Sequence, residues 1–180
     1  MKNKLLVIVD MQNDFVAGSL GSAEAQAIVD NVCEKIRGWE GVIAFTYDTH
    51  GEDYMNTLEG KKLPVPHCIR GTSGWALNDK VRRFAEGELL PEKVRIRIEK
   101  PTFGSFELVE FAKSMNFESI EIVGLCTDIC VISNAILLRA GMPDTPIAVD
   151  AKCCAGVTPQ THAHALSVMK KCQIDVINEE

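Results

Sequence analysis

The sequence predicts an α/β protein built on a mostly parallel sheet of six strands. Three observations carry this. Apolar runs of strand length alternate with segments of helical period along the chain. The first two runs are continuously apolar rather than alternating, as strands buried on both faces are. The 180 residues suit one domain, and no linker, internal repeat or low-complexity run divides them.

Taken in order, residues 4–10 (KLLVIVD) form the first strand. Residues 23–37 place Ala25, Ile28, Val29, Val32, Cys33 and Ile36 on one helical face. Residues 41–47 are a second buried strand. Residues 48–74 show no period and hold two prolines, four glycines and two histidines. That is too long for a plain connector, so the loop is expected to be functional. Residues 75–86 suit a short helix. Val94, Ile96 and Ile98 alternate with Arg95 and Arg97, which suits a strand at a sheet edge. Helix 106–115 and buried strand 119–124 follow. Helix 127–140 is expected to turn Ile129, Ile132, Ile136 and Leu137 inward. Residues 146–150 form a fifth strand, 159–171 a helix with Pro159 in its first turn, and 174–177 a sixth strand.

Composition narrows the function classes. Hydrophobic residues make up 46% and charged residues 24%, which excludes a disordered tail, a collagen or a coiled coil. The apolar runs are too short to span a bilayer. The first residues hold two lysines, a five-residue apolar run and no small-residue cleavage site, so no secretory signal is expected. Net charge is −6, whereas nucleic-acid binders carry a basic surplus. Neither a nucleic-acid nor a membrane partner is expected. The seven cysteines include no C-x-x-C pair, which points to free thiols in a reducing cytoplasm.

Sites in open α/β sheets form outside the carboxyl ends of the strands. There the sequence places Asp10, Asp48 with His50, Lys100, and Gly124-Leu-Cys-Thr-Asp-Ile-Cys130. Cys130 opens a helix, where unpaired amides favour a thiolate. Asp10 suits the role of base, and Lys100 that of counter-charge. The alternative is a small core cysteine. The backbone amides of Cys126 and Cys130 suit an oxyanion hole, the Cys126 thiol being filler. Cys33 and Cys172 read as core, Cys68 as filler or pocket lining. Cys153 and Cys154 follow the fifth strand with no assigned chemistry. Asp48, His50, Glu59 and His67 make a divalent-metal set or, equally on spacing, a group of solvated loop residues. His162 and His164 read as structural or surface residues.

Four blocks then match a known family over about residues 5–177. They are Asp10-Met-Gln-Asn-Asp-Phe15, Lys100-Pro-Thr-Phe-Gly-Ser-Phe106, Gly124–Val131, and Asp48-Thr-His50 with Pro66-His67-Cys-Ile-Arg-Gly-Thr72. Together they resemble the isochorismatase-like cysteine hydrolases, and within them the nicotinamidase (pyrazinamidase) branch. The resemblance implies a three-layer sandwich, helices on both faces of a parallel sheet of order 3-2-1-4-5-6, in one domain spanning 1–180. It implies Asp10, Lys100 and Cys130 as the catalytic set, and a non-proline cis bond at Leu125–Cys126. It implies a divalent metal, zinc first and manganese or iron next, with no organic cofactor. A small amide substrate and a homo-oligomer, dimer or tetramer, follow from it too. The branch usually carries an aromatic ring and a proline where this chain has Pro64 and Val65. A third metal histidine is replaced, with Glu59 as the expected stand-in beside Tyr54. Phe15, Phe103 and Phe106 are the rings left to line the pocket with Pro64. The implied reaction is nicotinamide hydrolysis through a thioester. The alternatives are a carbamoyl or other small-amide hydrolase, or a catalytically silent binding member.

Overall fold

The computed structural model describes residues 3–179. Its elements run β1 (Lys4–Val9), α1 (Asn13–Val16), α2 (Ala23–Ala27), α3 (Val29–Gly38), β2 (Val42–Asp48), α4 (Leu58–Lys62) and α5 (Asp79–Ala85). They continue β3 (Arg95–Lys100), α6 (Phe106–Met115), β4 (Ser119–Leu125), α7 (Ile132–Gly141), β5 (Ile147–Ala155), α8 (Pro159–Lys171) and β6 (Asp175–Ile177). A 3-10 turn, Tyr54–Asn56, precedes α4, and a π turn, Thr127–Val131, leads into α7.

One sheet holds all six strands, in the order β3-β2-β1-β4-β5-β6, and every pairing is parallel. Leu5 to Val9 have no exposed surface, so both faces of β1 are covered. That explains why its sequence is a continuous apolar run. The chain goes one way from β1 to β2 and returns past it to β4, which makes their carboxyl ends the topological switch point. Val9 pairs there with Gly124, whose φ is +116°. A Cβ on Gly124 would stand 2.1 Å from the Val9 carbonyl oxygen, so only glycine lets the two strands close up at this level.

Several boundaries differ from the sequence expectation. The helix expected over 23–37 breaks at Ile28 into α2 and α3. The helix over 75–86 shortens to α5, because the Asn78 side chain caps it by accepting from the Lys80 amide. The strand begun at Val94 runs instead from Arg95 to Lys100, and it is the edge strand, as its alternation required. The fifth strand runs to Ala155, so Cys153 and Cys154 are buried inside it rather than following it. Cys172, expected in the core, is exposed.

The helix after β4 starts as a π turn because the Cys126 carbonyl accepts from the amides of both Ile129 and Val131, at 3.1 and 3.0 Å. Its buried face is Val131, Ala135 and Leu138; Ile132, Ile136 and Leu137 are half-buried and Ile129 is exposed. Apolar residues surround most of this helix, so its period did not select a face. Among the described residues, no helix is long and apolar enough to cross a membrane.

Candidate active site

Asp10 leaves β1 with a φ of 47°, in the left-handed region that a non-glycine residue rarely adopts. Its side chain is fully buried. Thr46, the polar residue of the otherwise mostly apolar β2 run, donates its hydroxyl to Asp10 Oδ1 at 2.6 Å and accepts the Asp10 amide at 3.2 Å. Lys100 lies on the inward face of β3, two and four residues from Ile98 and Ile96. Its Nζ stands 2.6 Å from Asp10 Oδ2, 3.5 Å from Cys130 Sγ and 3.5 Å from Asp48 Oδ1, and donates to the Thr102 carbonyl at 3.1 Å. The three residues proposed from the strand ends therefore meet in one buried group.

Their electrostatics are set by burial against mutual attraction. Burial pushes the Asp10 carboxyl up from its ordinary range, and Lys100 opposes that shift. Burial disfavours charge on Lys100, yet Asp10, Cys130 and Asp48 outweigh it and raise its pKa. The Cys130 thiol is pushed well up, first by burial, with Lys100 pulling the other way. The 2.6 Å contact between Lys100 Nζ and Asp10 Oδ2 has the geometry of an ion pair, with the Cys130 thiol beside it.

Asp48 joins this group to a second one. It faces Lys100 across the β2–β3 register, and its Oδ2 lies 3.0 Å from His50 Nε2 and 3.4 Å from His67 Nε2. Glu59 Oε1 completes the set at 3.6 and 3.7 Å from the same two nitrogens. Ligand atoms from all four residues lie within 4.8 Å of one another. His67 Nδ1 donates to the Val65 carbonyl at 2.8 Å, which leaves its Nε2 lone pair free to face the cluster. Burial alone would raise the Asp48 pKa; His50, His67 and Lys100 reverse this and hold it well below the carboxylate range. Two imidazoles and two carboxylates, largely buried and convergent, fit a zinc, manganese or iron ion.

The long loop is fastened by the block that follows Asp10. Buried Gln12 brackets Asp48: its Oε1 accepts the Asp48 amide at 2.7 Å and its Nε2 donates to the Asp48 carbonyl at 2.8 Å. Asp14 Oδ2 accepts the Cys68 amide at 2.8 Å, beside His67. A further tie comes from α7, where buried Asn134 donates to the carbonyls of Cys130 and Phe103, at 2.8 and 3.1 Å, and accepts the Ser105 amide at 3.0 Å. It thereby couples the turn that carries Cys130 to the segment after Lys100. The bond between Leu125 and Cys126 is cis.

A cavity of about 50 Å³ lies over Cys130, walled by Phe15, Leu63, Phe103, Cys126 and Ile129 with Asp48, Glu59 and His67. It shares Glu59, Leu63, Phe103 and Ile129 with an outer cleft of about 670 Å³. Phe15 and Phe103, expected to line a substrate pocket, both border this cavity. Pro64 borders neither the cavity nor the cleft; its neighbour Leu63, itself 38% exposed, lines both instead. Phe106 is 76% exposed and borders a separate groove, since Ser105 caps α6 and points that first-turn residue away. The Cys126 side chain, expected to be filler, lines the cavity.

Sequence reasoning missed Thr46, Gln12, Asn134 and Ile129. The first three are buried polar side chains, and a polar residue within or beside an apolar run was the available signal.

The fold is thus a doubly wound α/β sheet with its ionisable groups gathered at the switch point. The chain belongs to the isochorismatase family: the isochorismatase domain model matches residues 4–180. It is 29% identical to the nicotinamidase/pyrazinamidase of Mycobacterium tuberculosis over 97% of this chain and 98% of that protein. The crystal structure of a nicotinamidase/pyrazinamidase from Bacillus subtilis superposes with a TM-score of 0.85 at 27% identity, covering 98% and 99% of the two chains. The fold is shared with the zinc complex of a Pyrococcus horikoshii pyrazinamidase, at a TM-score of 0.75, 23% identity and coverage of 97% and 98%.

Proposed function

We propose that this chain hydrolyses nicotinamide to nicotinate and ammonia, with Cys130 as nucleophile. The observation that carries the reading is Lys100, whose Nζ reaches Asp10, Cys130 and Asp48 at once. One lysine thereby joins a thiol–carboxylate pair to a metal-type cluster.

In this reading Asp10 takes the thiol proton as Cys130 Sγ attacks the carboxamide carbon. Lys100 holds the negative charge that the pair shares. The backbone amides of Cys126 and Cys130 hold the oxyanion, each contributing roughly 3 kcal/mol. Asp10 returns the proton to nitrogen as the C–N bond breaks, and ammonia leaves. Water then attacks the thioester with Asp10 as its base, which frees the carboxylic acid and restores the thiol. Asp48, His50, Glu59 and His67 would hold the metal, which when bound supplies a Lewis-acid position for the pyridine nitrogen. Phe15, Leu63, Phe103 and Ile129 offer apolar walls to the ring.

The zinc seen with the Pyrococcus relative makes zinc the ion to test first. Leu63 at the ring wall favours a second reading, a wider small-amide hydrolase of the same mechanism. A single catalytic domain over the whole chain, a cytoplasmic location and a dimer or tetramer complete the proposal; size-exclusion chromatography with light scattering tests the last. Purified protein loaded with zinc should release ammonia from nicotinamide, and Cys130→Ala should abolish release. No release from nicotinamide by the loaded parent would sink this substrate.

A further inference from the structure

We propose that His162 is a positioning residue for the nucleophile turn and acts through the hydroxyl of Thr127. The inference rests on Cys130 being the nucleophile. It assigns a role to a side chain outside the cleft.

Thr127 follows Cys126 and precedes Cys130 by three residues, and its side chain is fully buried. A buried hydroxyl needs a partner. That partner is His162, whose Nδ1 lies 2.7 Å from Thr127 Oγ1. One residue on, both oxygens of Asp128 accept the Val157 amide, at 3.1 and 3.2 Å. Two consecutive residues of the turn are therefore fastened to residues 157–162, which join β5 to α8 and form the first turn of α8.

That segment is a firm anchor. Thr158 and Thr161 form a reciprocal capping box at the start of α8, and Pro159 occupies its first turn. The His162 amide donates to the Thr158 carbonyl at 3.0 Å. Gly156 packs directly beneath: a Cβ there would stand 2.8 Å from the His162 nitrogen. The backbone that carries the imidazole is thus fixed at the start of α8.

The turn needs holding for a chemical reason. It carries the Cys126 and Cys130 amides and sets Sγ 3.5 Å from Lys100 Nζ. Asn134 secures only its far end, at the Cys130 carbonyl. His162 secures its near end.

The test uses the full-length, zinc-loaded protein with His162→Phe, Thr127→Val, their double variant, His162→Asn and His162→Gln. The two single variants should lower kcat for nicotinamide by about 10- to 100-fold with KM held within about twofold, as expected for misplacement by an ångström or less. The double variant should be no slower than the slower single. His162→Asn, whose amide nitrogen can stand where Nδ1 stands, should recover most of kcat, and His162→Gln should not. Iodoacetamide labelling of Cys130, read by mass spectrometry, should slow in the same order. That readout needs no substrate, so it survives if nicotinamide proves to be the wrong amide. Three results would overturn the role: kcat and Cys130 labelling both unchanged in the single variants, losses that multiply in the double variant, or losses that simply follow a fall in melting temperature.

Discussion

Lys100 Nζ lies 2.6 Å from the Asp10 carboxylate, and neither side chain has more than 1% of its surface exposed. Removing one member of such a pair strands the other charge, whereas removing both does not. Lys100→Met should therefore destabilise the fold by about 3–5 kcal/mol. Lys100→Met with Asp10→Asn should recover much of that loss while remaining inactive. Denaturant melts check the first claim and ammonia release the second. Equal destabilisation in the single and double variants would contradict the coupling.

Metal uptake should depend on the four donors together. His67→Ala should weaken zinc binding by more than about 100-fold, the upper end for losing even an outer partner of a metal ligand. Elemental analysis after gel filtration reports it directly. Full occupancy in His67→Ala would remove the cluster from the proposal.

Asn134 is the side chain that joins the turn carrying Cys130 to the segment after Lys100. Asn134→Leu leaves the buried Ser105 amide without its acceptor and two carbonyls without their donor. It should cost about 1–3 kcal/mol in thermal or urea unfolding. The same variant should lower kcat more than it raises KM, because it moves reacting groups rather than the ring walls. An unchanged kcat would confine Asn134 to a packing role.

Gly124 supplies a backbone test. Alanine there must adopt a φ of +116° and meet the Val9 carbonyl oxygen. Gly124→Ala should cost at least about 3 kcal/mol, combining strain with the separation of β1 from β4. A melt within a degree of the parent would show that the two strands part easily at the switch point.

A pH effect should arise away from the cleft. Lys35 on α3 stands 2.7 Å from Asp150 and 2.5 Å from Glu121. Burial opposes its charge, but the two carboxylates prevail and carry its pKa up to about 12. A lysine raised on folding stabilises fully below its unfolded pKa of about 10.4 and loses that contribution as pH rises through about 12. Lys35→Met should cost about 1 kcal/mol at pH 7, because solvent screens part of the attraction, with the gap to the parent closing above pH 10.5 or so. A gap that is constant across that range would assign the loss to packing.

Much of this protein was legible in one dimension. Continuous apolar runs announced strands buried on both faces, and the alternation around Arg95 and Arg97 marked the edge strand. Acids, a lysine and thiols at strand ends pointed to the candidate site, because a parallel sheet brings all its carboxyl ends to one side. Tertiary structure alone decided the rest. Helical period could not say which face of α7 is buried, since that helix is apolar nearly all round. Spacing in the long loop could not show that Glu59 meets both histidines, because a loop without period leaves direction free. Nor could it put Leu63 rather than Pro64 at the cavity wall, or join His162 to Thr127 across 35 residues. Sequence determines which groups stand at the ends of the strands; which of them touch depends on register, turn geometry and packing between distant segments.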